Sequence, residues 1–323
     1  MYGPQNLETD LNLREANELA EDGKYEKAWP FVKQALEEEP DDPKVLTLAA
    51  YMLERQGAAG LAYQVCKRMT AMHPNQSVAW LNLGKVCDTM WRMEESEAAY
   101  RRALNTLKPG DDDTKLIIYT NLAAMYLQMG KFKEAQGFSE KALKIKPDHL
   151  KSRHNLGLSL LASGQWKEGW KQYEASVGSP QRVAFKYNDE PTWEGETGGT
   201  VVVFGEQGIG DEICAASMIP DAINRASKLI IDCDARLQGI FARSFPQAKV
   251  YGTRNSKVLN WPVEDQKIDY SIASMQLGAI FRPDAESFPG KPYLIADPDR
   301  VVMWKGLWGT KGKPVIGIAW SGG

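Results

Sequence analysis

The side chains best suited to chemistry lie in the stretch EQGIGDEI, which begins at Glu206 and directly follows the apolar run TVVVFG. A glycine-rich turn between a strand and a helix presents backbone N–H groups and a helix N-terminus to a ligand. Asp211 closes this turn, and a carboxylate near a helix N-terminus at a cleft can accept a proton. The alternative is that Asp211 caps the helix, which would contribute about 1 kcal/mol. The two roles are compatible.

The neighbours of Asp211 have two interpretations. Glu206, Gln207 and Glu212 could orient an acceptor substrate, or they could be solvated polar side chains. Gly208 and Gly210 belong to a turn that lacks the G-x-G-x-x-G spacing of dinucleotide-binding folds, so we do not expect NAD to bind.

The elements that position side chains in the first half follow from a period of 34 residues. This period separates several pairs of residues, among them Gly23 and Gly57, Ala28 and Ala62, and Pro40 and Pro74. Five copies align, at residues 9–42, 43–76, 77–110, 116–149 and 150–179. Such repeats are pairs of antiparallel helices that stack, because one pair cannot bury its apolar face alone. The extra stretch around Asp111 to Asp113 is expected to be a solvated loop.

The third copy carries the most specific pattern. Trp80, Leu83, Gly84, Tyr100 and Ala103 stand where a tetratricopeptide repeat has its large and small signature residues. Small residues let the paired helices approach each other, and large residues fill the space between them. Residues 1–179 therefore resemble a tetratricopeptide repeat α-solenoid of about five repeats.

Asparagine recurs at the sixth position of three successive copies, as Asn82, Asn121 and Asn155. An amide is both donor and acceptor, so a row of amides could hold the backbone of an extended peptide. The protein O-GlcNAc transferases, which this layout resembles, carry a comparable ladder. The favoured alternative is that these asparagines only satisfy local hydrogen bonds. The ladder interpretation implies a protein or peptide partner in the groove.

The second half changes to an α/β pattern. After a linker at residues 180–199, strand-like runs at 200–204 and 228–232 flank a helical run, which is typical of a parallel βαβ unit. We predict a single Rossmann-like α/β domain over residues 200–313, and a further strand at residues 314–320.

The motif EQGIGDEI, Trp193 with Gly195, and the final VIGIAWSGG resemble the bacterial glycosyltransferases related to the heptosyltransferases. That resemblance implies the N-terminal half of a GT-B fold, with Asp211 as the general base and Glu206, Gln207, Gly208 and Gly210 near the substrate. It also implies that residues 314–323 are the first strand of a donor domain, with Ser321 and Gly322 in its loop. The rest of that domain would be truncated here or supplied by another chain.

The resemblance implies the acceptor-binding half of an inverting glycosyltransferase, whose repeats recruit a protein or peptide. The donor would be a nucleotide sugar, and this chain alone would bind no cofactor and be inactive. The alternative is a non-catalytic protein-interaction scaffold with a remnant glycosyltransferase-like domain. The downstream sequence would discriminate between them.

Composition excludes other classes. The 323 residues include 39 basic and 42 acidic side chains, a net charge of −3, so binding of nucleic acid through bulk charge is not expected. No export signal or membrane span is visible, and four separated cysteines suit reduced thiols in the cytoplasm. The three histidines match no metal-ligand spacing, so we expect no metal.

Overall fold

The computed structural model describes residues 7–178, 182, 186–187, 189–254 and 267–308. It divides the chain into two compact units, with the boundary between Ser163 and Gly164. The predicted strand at 314–320 and the predicted donor-loop residues Ser321 and Gly322 lie outside the described residues.

All regular structure described in the first unit is helical, as the 34-residue period predicts. The helices are α1 (Leu7–Glu21), α2 (Tyr25–Glu38), α3 (Pro43–Arg55), α4 (Ala59–Met72), α5 (Ser77–Thr89), α6 (Met93–Asn105), α7 (Asp112–Gln128), α8 (Phe132–Ile145) and α9 (Leu150–Ala162). The first helices of successive repeats, α1, α3, α5, α7 and α9, contact one another in that order. They therefore form one continuous layer of the stack.

The pairing of α5 with α6 shows how the repeat pattern works. A Cβ atom on Gly84 would lie 2.6 Å from the ring of Tyr100, so only glycine allows these helices to approach as closely as they do. The Ser96 hydroxyl donates a hydrogen bond to the Gly84 carbonyl at 2.9 Å. Tyr100 is buried at this contact, which joins the two helices of the third repeat.

Side chains and prolines set the helix ends. Pro40 and Pro74 follow the ends of α2 and α4, where a proline cannot continue the hydrogen-bond ladder. Asp42 accepts hydrogen bonds from the backbone N–H groups of Lys44 and Val45 at the start of α3. The expectation of a solvated loop at 111–113 was wrong, because Asp111 caps α7 and the next two aspartates lie in its first turn.

The second unit contains a small parallel sheet. Its elements are α10 (Trp166–Glu174), β1 (Thr200–Phe204), α11 (Ile209–Ala215), α12 (Ile219–Arg225), β2 (Lys228–Asp232), α13 (Gln238–Ser244), β3 (Lys249–Tyr251), β4 (Tyr270–Ala273), α14 (Leu277–Phe281) and α15 (Pro298–Leu307). The described strands are parallel, in the order β3-β2-β1-β4.

The register of the sheet places Phe204 of β1 opposite Asp232 of β2 and Ala273 of β4. The three strands therefore end together, and the residues that follow them meet at one edge. The helical run predicted after the glycine turn is divided by a 3-10 turn at Ala216–Met218, and Pro220 then starts α12.

Candidate functional site

The carboxyl edge of the sheet collects most of the polar residues that the sequence singles out. Gly205 directly follows β1, and a Cβ atom there would lie 2.4 Å from the Glu212 carboxyl carbon and 2.6 Å from Arg254. The glycine thus gives these two charged side chains the space that they occupy. The chemistry available at this edge depends on whether its charges are already paired.

Glu206 is committed to a buried ion pair. Its carboxylate receives two hydrogen bonds from Arg182, at 2.9 and 2.8 Å, and both side chains have 0% exposure. The Arg182 guanidinium also donates to the Tyr173 carbonyl and stacks over the Tyr173 ring, 3.8 Å from its centroid. Glu206 therefore connects the glycine turn to α10 and the segment after it, and both of its carboxylate oxygens are held by Arg182.

Gln207 is also engaged within the unit. Its Oε1 accepts a hydrogen bond from the Tyr173 hydroxyl at 3.0 Å, and its carbonyl accepts one from the Arg254 guanidinium. Gly208 and Gly210 are exposed, and Gly208 is the N-cap of α11. Of these predicted substrate contacts, only the two glycines present open surface.

Asp211 lies in the first turn of α11 and is partly buried. Its Oδ2 accepts a hydrogen bond from the Gly208 backbone N–H at 2.9 Å. This is a capping role from the N3 position, and it satisfies a backbone donor that the helix itself leaves free. Because the carboxylate retains partial exposure, this role does not prevent Asp211 from contacting a ligand.

A second group of buried charges joins β2 to the glycine turn. The Glu212 carboxylate lies 2.8 Å from Arg254 and accepts a hydrogen bond from the Asp234 backbone N–H. Burial raises the pKa of Glu212, and hydrogen bonds from Arg236 hold the pKa of Asp234 well below its usual range. Asp232 accepts from the Thr253 hydroxyl at 2.6 Å. Glu212, Asp232 and Asp234 are thus held by hydrogen bonds and ion pairs within the unit, and these contacts stabilise the fold.

The cavity at this edge that Gly205, Glu212, Asp232 and Ser274 help to line measures about 10 Å³. That volume admits about one water molecule and no sugar or nucleotide. Within the described ranges, no group of three or more His, Cys, Asp or Glu side chains is arranged to hold a metal ion. The described part of the edge is thus a paired charge network with a small cavity.

The first unit contains a groove of about 830 Å³. All of its lining residues lie on α1, α3 or α5, apart from Gln76 directly before α5. Tyr51 and Val78 present exposed apolar surface in it. Ile117 on α7 and Leu158 on α9 are also exposed, and they occupy the repeat positions of Val78 and Tyr51 respectively. Exposed apolar side chains thus recur along the layer of first helices.

The three asparagines differ in their contacts. The Asn82 amide donates to the Thr47 hydroxyl at 2.9 Å, and the buried Asn155 amide donates to the Thr120 carbonyl at 3.1 Å. Each bond joins one repeat to the residue 35 positions earlier in the preceding repeat. The Asn121 Nδ2 is buried and has no hydrogen-bond partner among the described residues. Asn82 lines the groove.

Several residues at these places were missed by the sequence analysis. Arg182 and Arg254 neutralise the acids of the sheet edge, and no local spacing connects them with Glu206 or Glu212. Tyr51 had no comparable signal, because its repeat equivalents are Asn17, Lys85, Ala124 and Leu158, which share no apolar pattern.

Comparison with known proteins supports the repeat assignment. Residues 75–148 match the tetratricopeptide repeat family. The chain therefore contains tetratricopeptide repeats. The repeat protein is 28% identical over 304 residues to the protein FlbA of Caulobacter vibrioides, a match that covers 87% of this chain and 50% of FlbA. The chain therefore spans half the length of that relative, and the match extends beyond the first unit.

Two further similarities concern the repeats. The TPR repeat-containing protein YpiA of Bacillus subtilis is 25% identical over 149 residues, covering 46% of this chain and 33% of YpiA. The crystal structure of PilW, a type IV pilus biogenesis factor, matches 53% of this chain and 78% of its own with 19% identity and a TM-score of 0.49. These matches add no support for the expected glycosyltransferase. No described helix has both the length and the apolar character needed to span a membrane.

Proposed function

We propose that this tetratricopeptide repeat protein is a protein-binding scaffold whose first-helix groove receives a segment of another polypeptide. The observation that supports the proposal is the 830 Å³ groove lined by α1, α3 and α5, together with the exposed apolar side chains that continue along α7 and α9. A continuous surface of this kind suits a chain segment better than a compact small molecule.

The energy of binding would come from the apolar side chains of the groove. Burial of a side chain such as Tyr51 or Ile117 contributes about 1.5–3 kcal/mol. Polar groups beside them, including the Asn82 amide, would align the segment and add little net free energy. Asn121 and Asn155 are weaker candidates for peptide contacts than Asn82. The Asn155 amide is buried and bonded to the preceding repeat, and the Asn121 Nδ2 is also buried.

The test uses a displayed library of random peptides of about 12 residues, selected on the full chain. We expect selected peptides to bind at least about 10-fold more weakly to a Tyr51→Ala/Ile117→Ala variant. The matched control is Leu61→Ala/Met72→Ala, which removes two exposed apolar side chains from the second helix α4. Selection of no peptide, or equal losses in both variants, would overturn the proposal.

The second unit supports a further candidate, the acceptor half of an inverting glycosyltransferase with Asp211 as its base. Its parallel sheet and the partly exposed Asp211 beyond the end of β1 favour this candidate. The paired state of Glu206 and the 10 Å³ cavity oppose it. Calorimetry with UDP-, GDP- and ADP-sugars tests this candidate. It requires that this chain alone bind none of them with micromolar affinity. It also requires that a protein completed by a donor domain bind one of them.

We also propose that the second unit is Rossmann-like and that the protein is cytoplasmic. The location is supported by the four cysteines, all of which are free thiols. Three of the four cysteines are buried, so alkylation of protein denatured directly from cells would distinguish reduced from oxidised thiols and so test the location.

A further inference from the structure

Exposed apolar side chains concentrate on α15, in the second unit. Sixteen large apolar side chains are exposed in the described ranges, and five of them lie on α15 or directly after it. These five are Val302, Met303, Trp304, Leu307 and Trp308. No residue of α15 is buried. A helix of this length gains little stability by itself in water, so a surface that covers its apolar residues would stabilise it.

Four of these side chains form one face of α15. Met303, Trp304, Leu307 and Trp308 follow the spacing i, i+1, i+4 and i+5, which places side chains on one side of a helix. The rings of Trp304 and Trp308 stack on each other, and Leu307 is 65% exposed. The face is thus ordered by its own contacts, while the part of the chain that the structure describes leaves it open to solvent.

The residues before α15 attach it to the second unit. The Arg243 guanidinium donates a hydrogen bond to the Ile295 carbonyl at 2.8 Å and lies 3.7 Å from Asp297. The Ile295 N–H donates to the Ser244 hydroxyl at 2.8 Å. The Asp297 carboxylate caps the helix by accepting hydrogen bonds from two backbone N–H groups of its first turn. These bonds fix the start of α15, and its apolar face takes no part in them.

The charge along this segment is basic. Between residues 300 and 313 the sequence has four basic residues and no acidic one, although the whole chain has a net charge of −3. The four are Arg300, Lys305, Lys311 and Lys313. Arg300 lies one turn before Trp304, and Lys305 lies one turn before Trp308. Asp299 is nine residues from Trp308, which places it on the opposite side of the helix. The apolar face is therefore flanked by positive charge.

This combination favours a lipid surface over a second copy of the chain. A two-fold contact between identical α15 faces would bring Arg300 and Lys305 of both copies together, with no acid of α15 on that face to pair with them. A layer of anionic headgroups offers negative charge beside an apolar boundary. Tryptophan rings with neighbouring lysine or arginine side chains are well suited to that boundary.

We propose that α15 docks the protein on an anionic lipid surface. The face formed by Met303, Trp304, Leu307 and Trp308 enters the boundary between headgroups and acyl chains, and Arg300 and Lys305 contact lipid phosphates. The ten residues of α15 span about 15 Å, half the thickness of a hydrocarbon core, so the helix lies along the surface. This site is separate from the peptide groove of the first unit and does not depend on it.

Co-sedimentation of the full chain with lipid vesicles tests the proposal. One set of vesicles contains phosphatidylcholine alone, and the other contains equal parts of phosphatidylcholine and phosphatidylglycerol. The variants are Trp304→Ala/Trp308→Ala and Arg300→Gln/Lys305→Gln, all at exposed positions. The matched controls remove exposed apolar or basic side chains from second helices, and they are Leu61→Ala/Met72→Ala and Lys33→Gln/Lys144→Gln. Circular dichroism melting verifies that each variant folds.

We expect the wild type and both controls to bind the mixed vesicles about 10-fold more strongly than phosphatidylcholine alone, and each α15 variant to lose about 10-fold in affinity for them. Added salt should weaken the binding of the wild type. Failure to sediment, or equal losses in the controls, would overturn the proposal. Self-association, or capture of an acidic protein, that needs Trp304 and Trp308 in the absence of vesicle binding would also overturn it.

Discussion

Trp91 adopts, in the turn between α5 and α6, the left-handed backbone conformation that Gly57 adopts one repeat earlier. The φ angles are 58° for Trp91 and 78° for Gly57. Glycine takes this conformation without steric cost, whereas a bulky side chain does not. The Trp91 side chain is 70% exposed, so little packing compensates for the strain.

Trp91→Gly should therefore stabilise the first unit. Relief of left-handed strain, less the extra entropy of glycine in the unfolded chain, should raise the free energy of unfolding by about 0.5–1 kcal/mol. Urea denaturation followed by circular dichroism measures this change. Trp91→Phe is the control and should leave stability nearly unchanged, because it keeps the strained backbone. A destabilised glycine variant would show that the tryptophan side chain has a packing role.

Gly84→Ala should destabilise the first unit. The added methyl group would lie 2.6 Å from the Tyr100 ring, and forcing these helices apart should cost about 1–3 kcal/mol. The matched control is Gly137→Ala within α8, where no atom lies within 4 Å of the added Cβ and helix propensity predicts stabilisation of up to about 1 kcal/mol. Thermal unfolding of both variants should show shifts of opposite sign.

The stability of the first unit should depend on the ionisation of Asp88. Its pKa of about 6 in the folded state exceeds the ordinary aspartate pKa of 3.8, so the folded state binds more protons between about pH 4 and pH 6. Stability from this group is present below pH 4 and is lost as the pH rises through 6. The charges that act on Asp88 are Glu54 and Lys151.

Asp88→Asn should remove that dependence. We expect the variant to be about 1 kcal/mol more stable than the wild type at pH 7 and equally stable at pH 3.5. The difference at pH 7 is smaller than the pKa shift alone would give, because water reaches Asp88 and screens its charge. Urea titrations at both pH values provide the measurement. A wild-type stability that rises between pH 4 and pH 6 relative to that of the variant would contradict the assignment.

Removal of Arg182 should strongly destabilise the second unit. Arg182→Met leaves the Glu206 carboxylate buried without its partner, at a cost of about 3–5 kcal/mol. The double variant Arg182→Met/Glu206→Met removes both charges and should recover most of that loss. Fluorescence-monitored denaturation of the two variants tests this, and equal losses in both would show that the charge itself is unimportant.

The repeats could be predicted from sequence because their packing depends on residues a fixed distance apart. Gly84 and Tyr100 illustrate this, since the small and large residues of one repeat meet in the contact that the pattern implies. The aspartates at 111–113 were misinterpreted because a run of charge at a helix start has the composition of a loop, although Asp111 is the N-cap.

The charge network of the sheet edge could not be predicted. Arg182 and Glu206 are 24 residues apart and lie in irregular segments, where no periodicity brings side chains together. Trp304 and Trp308 likewise show contacts that spacing alone does not reveal, because their rings stack on each other at the end of α15, with 4.4 Å between the ring centroids, while both remain exposed.

Hydrogen exchange with a selected peptide tests the central claim most directly. Amide exchange of the full chain, followed by mass spectrometry with and without the peptide, should show added protection in α1, α3, α5 and α7 and none in α2, α4, α6 and α8, because only first helices form the proposed site. Protection confined to the second helices, or to the second unit, would contradict a polypeptide-binding groove.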